Sequence, residues 1–325
     1  MSLRIGVLGA SRIAEHAIVE PAHELGHRLV VVAARDPQRA KEFADTYGVE
    51  RVATGYADVI DDPEVDVVYN PLANALHAPW NLAAIKAGKP VLTEKPFARN
   101  HTEALAVADA ARSAGVRMLE GFHYLFHPVT QRIFELATGG ELGDIHHVEV
   151  RMAMPAPAAG DPRWSLELAG GALMDLGCYG LHIMRQLGAR GLGRPAITAA
   201  HASQRDPGVD EWCDVELAFP SGATGLTANS MTAEAFSFSI KVVGTGGDAM
   251  VHDFIRPHTD DRITVRTPAG TRVEHLGTRA SYTYQLEAFA AHLLDGAPLP
   301  IDIDDAVQNM HYVDAAYLAA GMSPR

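Results

Sequence analysis

At 325 residues the chain is long enough for two domains, and its 47 % hydrophobic content supplies material for large cores. A net charge of -13 argues against non-specific nucleic-acid binding, so an anionic ligand would need local arginines. The two cysteines, Cys178 and Cys213, stand far apart and outside any C-x-x-C spacing, which points to a reducing compartment and away from a disulfide framework or a zinc cage. No apolar run approaches the roughly 18 residues of a helical membrane span. The opening residues run straight into a strand pattern without the features of a secretory signal. A cytoplasmic protein with neither nucleic acid nor membrane as partner is the expectation.

Ile5, Val7 and Leu8 form a short apolar run around Gly6 that reads as a buried strand. Gly9, Ser11 and Ala14 follow at the spacing of the dinucleotide fingerprint G-x-G-x-x-G/A. Gly9 permits the tight turn from strand to helix. A small residue at 11 lets backbone approach a pyrophosphate, and a small residue at 14 lets the helix pack close to the strand. Ser11 replaces the second glycine but stays small and adds a hydroxyl. The helix N-terminus behind it offers free N–H groups to phosphate. Glu15 to Leu25 reads as that helix, with Pro21 as a kink or boundary.

Leu29 to Ala34 is a second strand, ending in Arg35-Asp36-Pro37. In a dinucleotide fold this end faces the adenosine ribose. An acid there favours NAD, and an arginine pairs with the 2′-phosphate of NADP. Asp36 before Pro37 and the helical pattern Gln38 to Tyr47 has the chemistry of an N-cap with proline in the first helical position. Asp36 is therefore given to capping and Arg35 to the 2′-phosphate, with Arg12 stacking on adenine or adding a phosphate contact. Tyr56 to Ile60 starts a short helix, and Asp66 to Tyr69 is a third strand. Asn70 to His77 is a loop at that strand's C-terminal end, where ligands lie in open α/β sheets. Ala78 to Ala87 is helical up to Gly88. Pro90 to Thr93 is a fourth strand, followed by Glu94-Lys95-Pro96. His101 to Ala114 is a helix, and Val116 to Leu119 a fifth strand. The alternation predicts a doubly wound parallel sheet over residues 1–122.

Beyond 122 the pattern changes. Val129 to Leu136 is helical, Ile145 to Met154 strand-like, and Pro155 to Pro162 a loop. Gly170-Gly171 precedes a helix from Ala172 to Leu187, on which Asp175, Tyr179 and His182 share one face. Asp214–Phe219, Thr224–Met231, Phe236–Val243, Ala249–His252 and Arg262–Thr267 are short strands that suggest a mostly antiparallel sheet. Tyr284 to Leu294 and Asp304 to Ala320 close the chain as helices. The fold class is thus α/β, with an α+β domain over residues 123–325. No metal site is expected. His146-His147 are strand neighbours that point to opposite faces, and His123 and His127 have no carboxylate at a recognisable spacing.

Gly9-x-Ser11-x-x-Ala14, Glu94-Lys95-Pro96 and the run Gly170-Gly171-Ala172-Leu173-Met174-Asp175-Leu176-Gly177-Cys178-Tyr179 together resemble the Gfo/Idh/MocA oxidoreductases over almost the whole chain. Tyr179 is similar to the glucose–fructose oxidoreductase, dihydrodiol dehydrogenase and sugar 3-ketoreductase branch, whereas the inositol dehydrogenase branch has histidine there. Asn70-Pro71-Leu72 and Phe122 to Pro128 resemble the same branch. The resemblance implies hydride transfer between NADP (NAD possible) and a small polyhydroxylated substrate such as a sugar or vicinal diol. It also implies a large open sheet in the second domain and a homodimer or homotetramer.

Hydride transfer to a carbonyl leaves negative charge on oxygen, which a lysine ammonium and a tyrosine hydroxyl stabilise and protonate. Lys95 is expected to polarise that oxygen, Tyr179 to act as acid and base, and Asp175 to orient either group or bind a substrate hydroxyl. The cofactor is expected to meet Gly9, Ala10, Ser11, Arg12, Ile13, Arg35, Pro71, Leu72, Asn74, His77, Glu94 and Lys95, with Arg163 and Trp164 approaching the nicotinamide end. His123, Tyr124 and Tyr284 are assigned to the substrate, and His182 to packing or to support of the reacting groups rather than to chemistry. A nucleotide-sugar ketoreductase and a non-catalytic dinucleotide-binding sensor or repressor stay open as alternatives. Lys95 and Tyr179 disfavour the second. A biliverdin reductase-like enzyme would need a large apolar site, which the set of Lys95, Asp175 and Tyr179 opposes.

Overall fold

The computed structural model describes residues 2–325. It divides into two compact units. One holds the chain up to Phe122 together with Tyr282–Met310, and the other holds His123–Ser281 and His311–Arg325. The break after Phe122 falls where the element pattern changes in the sequence. Tyr282–Met310, placed in the second domain by a linear reading, groups with the first unit. Long-range polar contacts hold it there. Thr283 Oγ1 donates to Glu24 (3.1 Å), Arg117 donates to the carbonyls of His292 and Leu293 (2.9 Å each), and Arg112 pairs with Asp304.

The first unit is built on a six-stranded sheet. Its strands are β1 (Arg4–Leu8), β2 (Arg28–Ala33), β3 (Arg51–Val52), β4 (Val67–Asn70), β5 (Val91–Thr93) and β6 (Met118–Glu120), in the order β3-β2-β1-β4-β5-β6. Every pairing is parallel. That order reverses direction between β1 and β4, and the crevice beyond the C-terminal ends of those two strands is where such folds take dinucleotides. Gly9 and Asn70 stand at those two ends. Ile5, Val7 and Leu8 are fully buried, so the central strand is apolar on both faces, as a parallel sheet covered by helices requires.

The second unit carries an eight-stranded sheet. Its strands are β7 (Ile145–Ala153), β8 (Ala196–Asp206), β9 (Val209–Ala218), β10 (Thr224–Ser230), β11 (Ser237–Gly244), β12 (Gly247–Val251), β13 (Arg262–Thr267) and β14 (Gly270–His275), in the order β14-β13-β12-β11-β7-β10-β9-β8. Only β7 and β10 pair in parallel; the other pairings are antiparallel. The helix Cys178–Leu187 is buried along its whole length. It approaches β10 so closely that a Cβ on Gly180 would sit 2.7 Å from Thr227 Cβ.

Two helices depart from the regular form expected. The first runs from Arg12 to Leu25, but Glu15–Val19 is π-helical, the Glu20 N–H reaching back to the Glu15 carbonyl. Pro21 lies just beyond, with no N–H for the carbonyl four residues back, and the wider register absorbs that misfit. The second is Leu173–Gly177, also π-helical, with the Cys178 N–H on the Leu173 carbonyl. Asp175 therefore sits in a wider turn than Tyr179, on a helix with two registers rather than one.

Candidate active site

In the first unit the fingerprint turn has the geometry that its residues imply. Gly9 has φ +93, a value that penalises any side chain, and a Cβ there would lie 2.9 Å from Leu72 Cδ2. Leu72, from the loop after β4, thus packs directly on the turn. Ser11 is extended and precedes the helix, yet its side chain makes no cap bond. Its Oγ is buried and has no partner among the described residues. A buried hydroxyl at a helix N-terminus, beside a glycine with no room for a side chain, suits a phosphate oxygen as its missing acceptor.

At the end of β2, Asp36 does cap the helix Pro37–Tyr47, accepting from the N–H groups of Gln38 (2.9 Å) and Arg39 (3.5 Å). Its carboxylate is thereby engaged. Arg35 and Arg12 are both exposed. Arg39, which sequence reasoning passed over, donates from Nη2 to the Ala10 carbonyl (2.9 Å) and brings a further guanidinium to the fingerprint turn. The signal was its place three residues past the cap, on the helix turn that faces back toward the strand end. Ile13 is exposed at the same turn.

The loop after β4 is fixed by a buried polar chain. Asn70 Nδ2 donates to Asn81 Oδ1 (2.8 Å), and Asn81 Nδ2 donates to Thr93 Oγ1 (3.2 Å). Asn70 Oδ1 accepts from the Leu72 N–H (3.3 Å). These bonds tie the ends of β4 and β5 to the helix His77–Lys86. Pro71 is buried within the loop and Asn74 half-buried at its far end. His77 is buried and spans two loops, with Nδ1 2.7 Å from the Pro96 carbonyl and Nε2 2.8 Å from the Leu72 carbonyl. Burial lowers its pKa to about 4, so the ring is neutral near pH 7. The neutral ring carries one N–H, so His77 donates to one of the two carbonyls and packs against the other. Glu94 is buried and accepts from Tyr69 OH (3.0 Å), and burial with that carboxylate raises the Tyr69 pKa well above the ordinary range. Lys95 follows, half-buried, with a cis bond to Pro96. Tyr284 also belongs to this unit, half-buried on the helix Ser281–Asp295.

In the second unit the helix carrying Asp175 and Tyr179 meets a connected set of polar groups. Asp175 Oδ2 accepts from Arg163 Nε at 2.6 Å, and Arg163 also pairs with Asp161 (3.3 Å). The Asp175 charge first, and then Asp161, hold the Arg163 pKa above its ordinary value despite burial. Arg163 was assigned to the cofactor; its guanidinium is a partner of Asp175. Trp164 is buried, its Nε1 donating to the Pro157 carbonyl (3.2 Å), with the Arg205 guanidinium 4.4 Å above its ring.

Tyr179 OH is hydrogen-bonded to His123 Nε2 (3.3 Å), and His123 Nδ1 to Ser281 Oγ (2.8 Å). Tyr124 OH is hydrogen-bonded to His182 Nδ1 (2.6 Å), and His182 Nε2 lies 3.3 Å from Gln186 Nε2. His123, Tyr124 and His182 are fully buried, and the rings of Tyr124, Tyr179 and Phe254 meet edge to face. The structure thus gathers His123, Tyr124, Tyr179 and His182 into one cluster. His182, expected in packing or in support of the reacting groups, is part of its hydrogen-bond network. His127 lies outside it, its Nδ1 accepting from the Val129 N–H (3.1 Å) as the cap of the helix Pro128–Thr138.

This fold and these groups coincide with one known lineage. Residues 3–122 match the oxidoreductase family with an NAD-binding Rossmann fold, and residues 130–250 match the GFO/IDH/MocA C-terminal domain. The chain belongs to the Gfo/Idh/MocA family of oxidoreductases. It is 32 % identical over 321 residues to a D-xylose 1-dehydrogenase (NADP(+)) of Haloferax volcanii, covering 98 % of this chain and 97 % of that one. It is 30 % identical over 262 residues to the trans-1,2-dihydrobenzene-1,2-diol dehydrogenase of Mus musculus, covering 79 % and 77 %. Its fold matches the crystal structure of a 3-ketoreductase from Actinomadura kijaniata in complex with NADP and TDP-benzene, with a TM-score of 0.90, 26 % identity and 98 % of each chain covered.

Proposed function

We propose that the protein is an NADP-dependent oxidoreductase that moves a hydride between the nicotinamide and a carbonyl or secondary alcohol of a sugar, sugar derivative or vicinal diol. The observation that carries this reading is the buried chain Tyr179–His123–Ser281, which gives the tyrosine hydroxyl a route for its proton. The relatives agree with it, being a xylose dehydrogenase, a dihydrodiol dehydrogenase and a 3-ketoreductase. In this reading the first unit binds the cofactor and the second takes the substrate and pairs with another copy, as a homodimer or homotetramer in the cytoplasm.

The nicotinamide supplies or accepts the hydride when bound. Lys95 neutralises charge on the substrate oxygen, and Tyr179 gives or takes its proton. Asp175, oriented by Arg163, binds a substrate hydroxyl. Tyr284 contributes to substrate binding. Arg35 pairs with the 2′-phosphate, with Arg39 and Arg12 as its neighbours at the turn, because the Asp36 carboxylate is engaged by the helix start. Ser11 Oγ donates to the pyrophosphate.

A titration with NADPH and NADH, read by the fluorescence of the reduced nicotinamide, tests the reading. Tight NADPH and weak NADH binding is expected, followed by turnover of NADP⁺ with a member of a sugar and diol panel. Binding of neither cofactor would overturn it. A second reading, reduction of a keto group on a nucleotide-linked sugar, is favoured by the likeness to the 3-ketoreductase. It predicts turnover with a nucleotide-linked ketosugar and none with free sugars or diols.

A further inference from the structure

The second unit contains a buried ion pair that the proposed chemistry does not use. Arg325 and Asp210 have side chains 1 % and 0 % exposed, and Arg325 Nη2 lies 2.5 Å from Asp210 Oδ1. Tyr317 OH donates to Asp210 Oδ1 (2.9 Å) and lies 2.8 Å from Arg325 Nη2, while the Arg325 guanidinium sits 4.1 Å above the Tyr317 ring. A buried pair of this kind contributes little net stability against an apolar replacement, while its hydrogen bonds hold the groups it touches in one geometry.

Two further bonds of the cluster end on one short segment. Arg325 Nε donates to the Gly170 carbonyl (2.9 Å), and Asp210 Oδ2 accepts from the Leu173 N–H (2.7 Å). Between them lies Gly171, at φ +125, where a Cβ would run into both the Asp210 carboxylate and the Arg325 guanidinium. The Gly171 N–H donates to the Arg163 carbonyl (3.0 Å), and the Asp175 N–H donates to the Gly171 carbonyl (3.0 Å). The two residues fixed through Gly171 are therefore the two that pair through side chains, Arg163 and Asp175.

We propose that Arg325, with Asp210 and Tyr317, is a positioning group for the reaction: it clamps the Gly170–Leu173 turn and so sets the Arg163–Asp175 pair and the start of the helix bearing Tyr179. This rests on the reading of Asp175 and Tyr179 as reaction groups. The clamp touches neither directly; it fixes the backbone from which both are presented.

The test compares purified Arg325→Met, Arg325→Lys, Tyr317→Phe and Tyr179→Phe with the parent, on the sugar or diol that the parent turns over. Arg325→Met is expected to lower kcat at least tenfold and, because Asp175 holds a substrate hydroxyl, to raise KM, while the NADPH dissociation constant stays within threefold. Arg325→Lys, which keeps the charge opposite Asp210, is expected to recover part of that loss. Should Arg325→Met not fold, Tyr317→Phe removes one hydroxyl only and is expected to lower kcat about threefold. A folded Arg325→Met or Tyr317→Phe with the parent's kcat overturns the clamp. So does a loss in Arg325→Met that Arg325→Lys does not relieve. Tyr179→Phe separates the two ideas. Full activity in it overturns the reading of the site, whereas an inactive Tyr179→Phe beside an unchanged Arg325→Met overturns the clamp alone.

Discussion

The chain starts two helices with a glycine of positive φ, Gly9 in the first unit and Gly171 in the second, and the two starts are finished differently. After Gly171 the polar groups find partners inside the protein: Asp175 with Arg163, the Leu173 N–H with Asp210, the Gly170 carbonyl with Arg325. After Gly9 they do not all do so, and the Ser11 hydroxyl is buried with no acceptor among the described residues. A start that completes its own bonds is organised before any ligand arrives. A start that leaves a buried group unsatisfied carries a cost that a ligand's oxygens can relieve. The contrast separates a preorganised chemical segment from a binding segment completed by phosphate.

The preorganised side breaks hardest. Changing Tyr179 to Phe there, or Lys95 to Ala on the loop after β5 of the first unit, should reduce turnover by about 10²- to 10⁴-fold, the usual range for a positioned acid or charge-stabilising group. NADPH affinity should stay within a few-fold, as a fluorescence titration would show. Turnover equal to the parent's in either variant removes that residue from the chemistry.

The first unit has a closed part as well, and its test is stability against pH. His77 is buried between the Leu72 and Pro96 carbonyls with a pKa lowered to about 4 from an ordinary 6.5. Because the folded value is the lower one, protons bind the unfolded chain first as the pH falls. The contribution is complete above pH 6.5 and is lost progressively down to about pH 4. Its full size is about 3 kcal/mol at roughly 1.4 kcal/mol per pH unit. Urea midpoints of the parent and His77→Gln should therefore converge as the pH is lowered from 7 to 4. A constant gap across that range would show that His77 is not the titrating group.

Much of this was legible in the sequence, and the misses share a cause. The strands overlooked are Arg51–Val52, Ala196–Asp206 and Gly270–His275, and each is the edge of its sheet. An edge strand is covered less and carries Ala, Ser, Gln, Arg or His without an apolar period, so its strand character comes from its neighbour's hydrogen bonds. The interior strands and the helix starts were visible because burial and capping leave a local mark, as at Asp36-Pro37. Partners across long sequence distances left none. Nothing local joins Arg163 to Asp175, Tyr179 to His123 or Arg325 to Asp210. The π turn at Leu173–Gly177 was equally hidden.

The binding side yields smaller effects, and two variants resolve it. Arg35→Ala should weaken NADPH about tenfold and NADH hardly at all, since only the 2′-phosphate is lost as a partner; equal weakening of both removes Arg35 from that role. Ser11→Ala should behave differently because the pyrophosphate is common to both cofactors. It should weaken NADPH and NADH by the same few-fold, about 1 kcal/mol for one hydrogen bond. Without cofactor the sign reverses. Deleting a buried hydroxyl that lacks an acceptor should leave the protein as stable as the parent or up to about 1 kcal/mol more stable, by urea unfolding. A variant that binds worse and folds no worse is the signature of a group held ready for a ligand. Destabilisation without cofactor would mean that Ser11 serves the fold, and the contrast between the two helix starts would close.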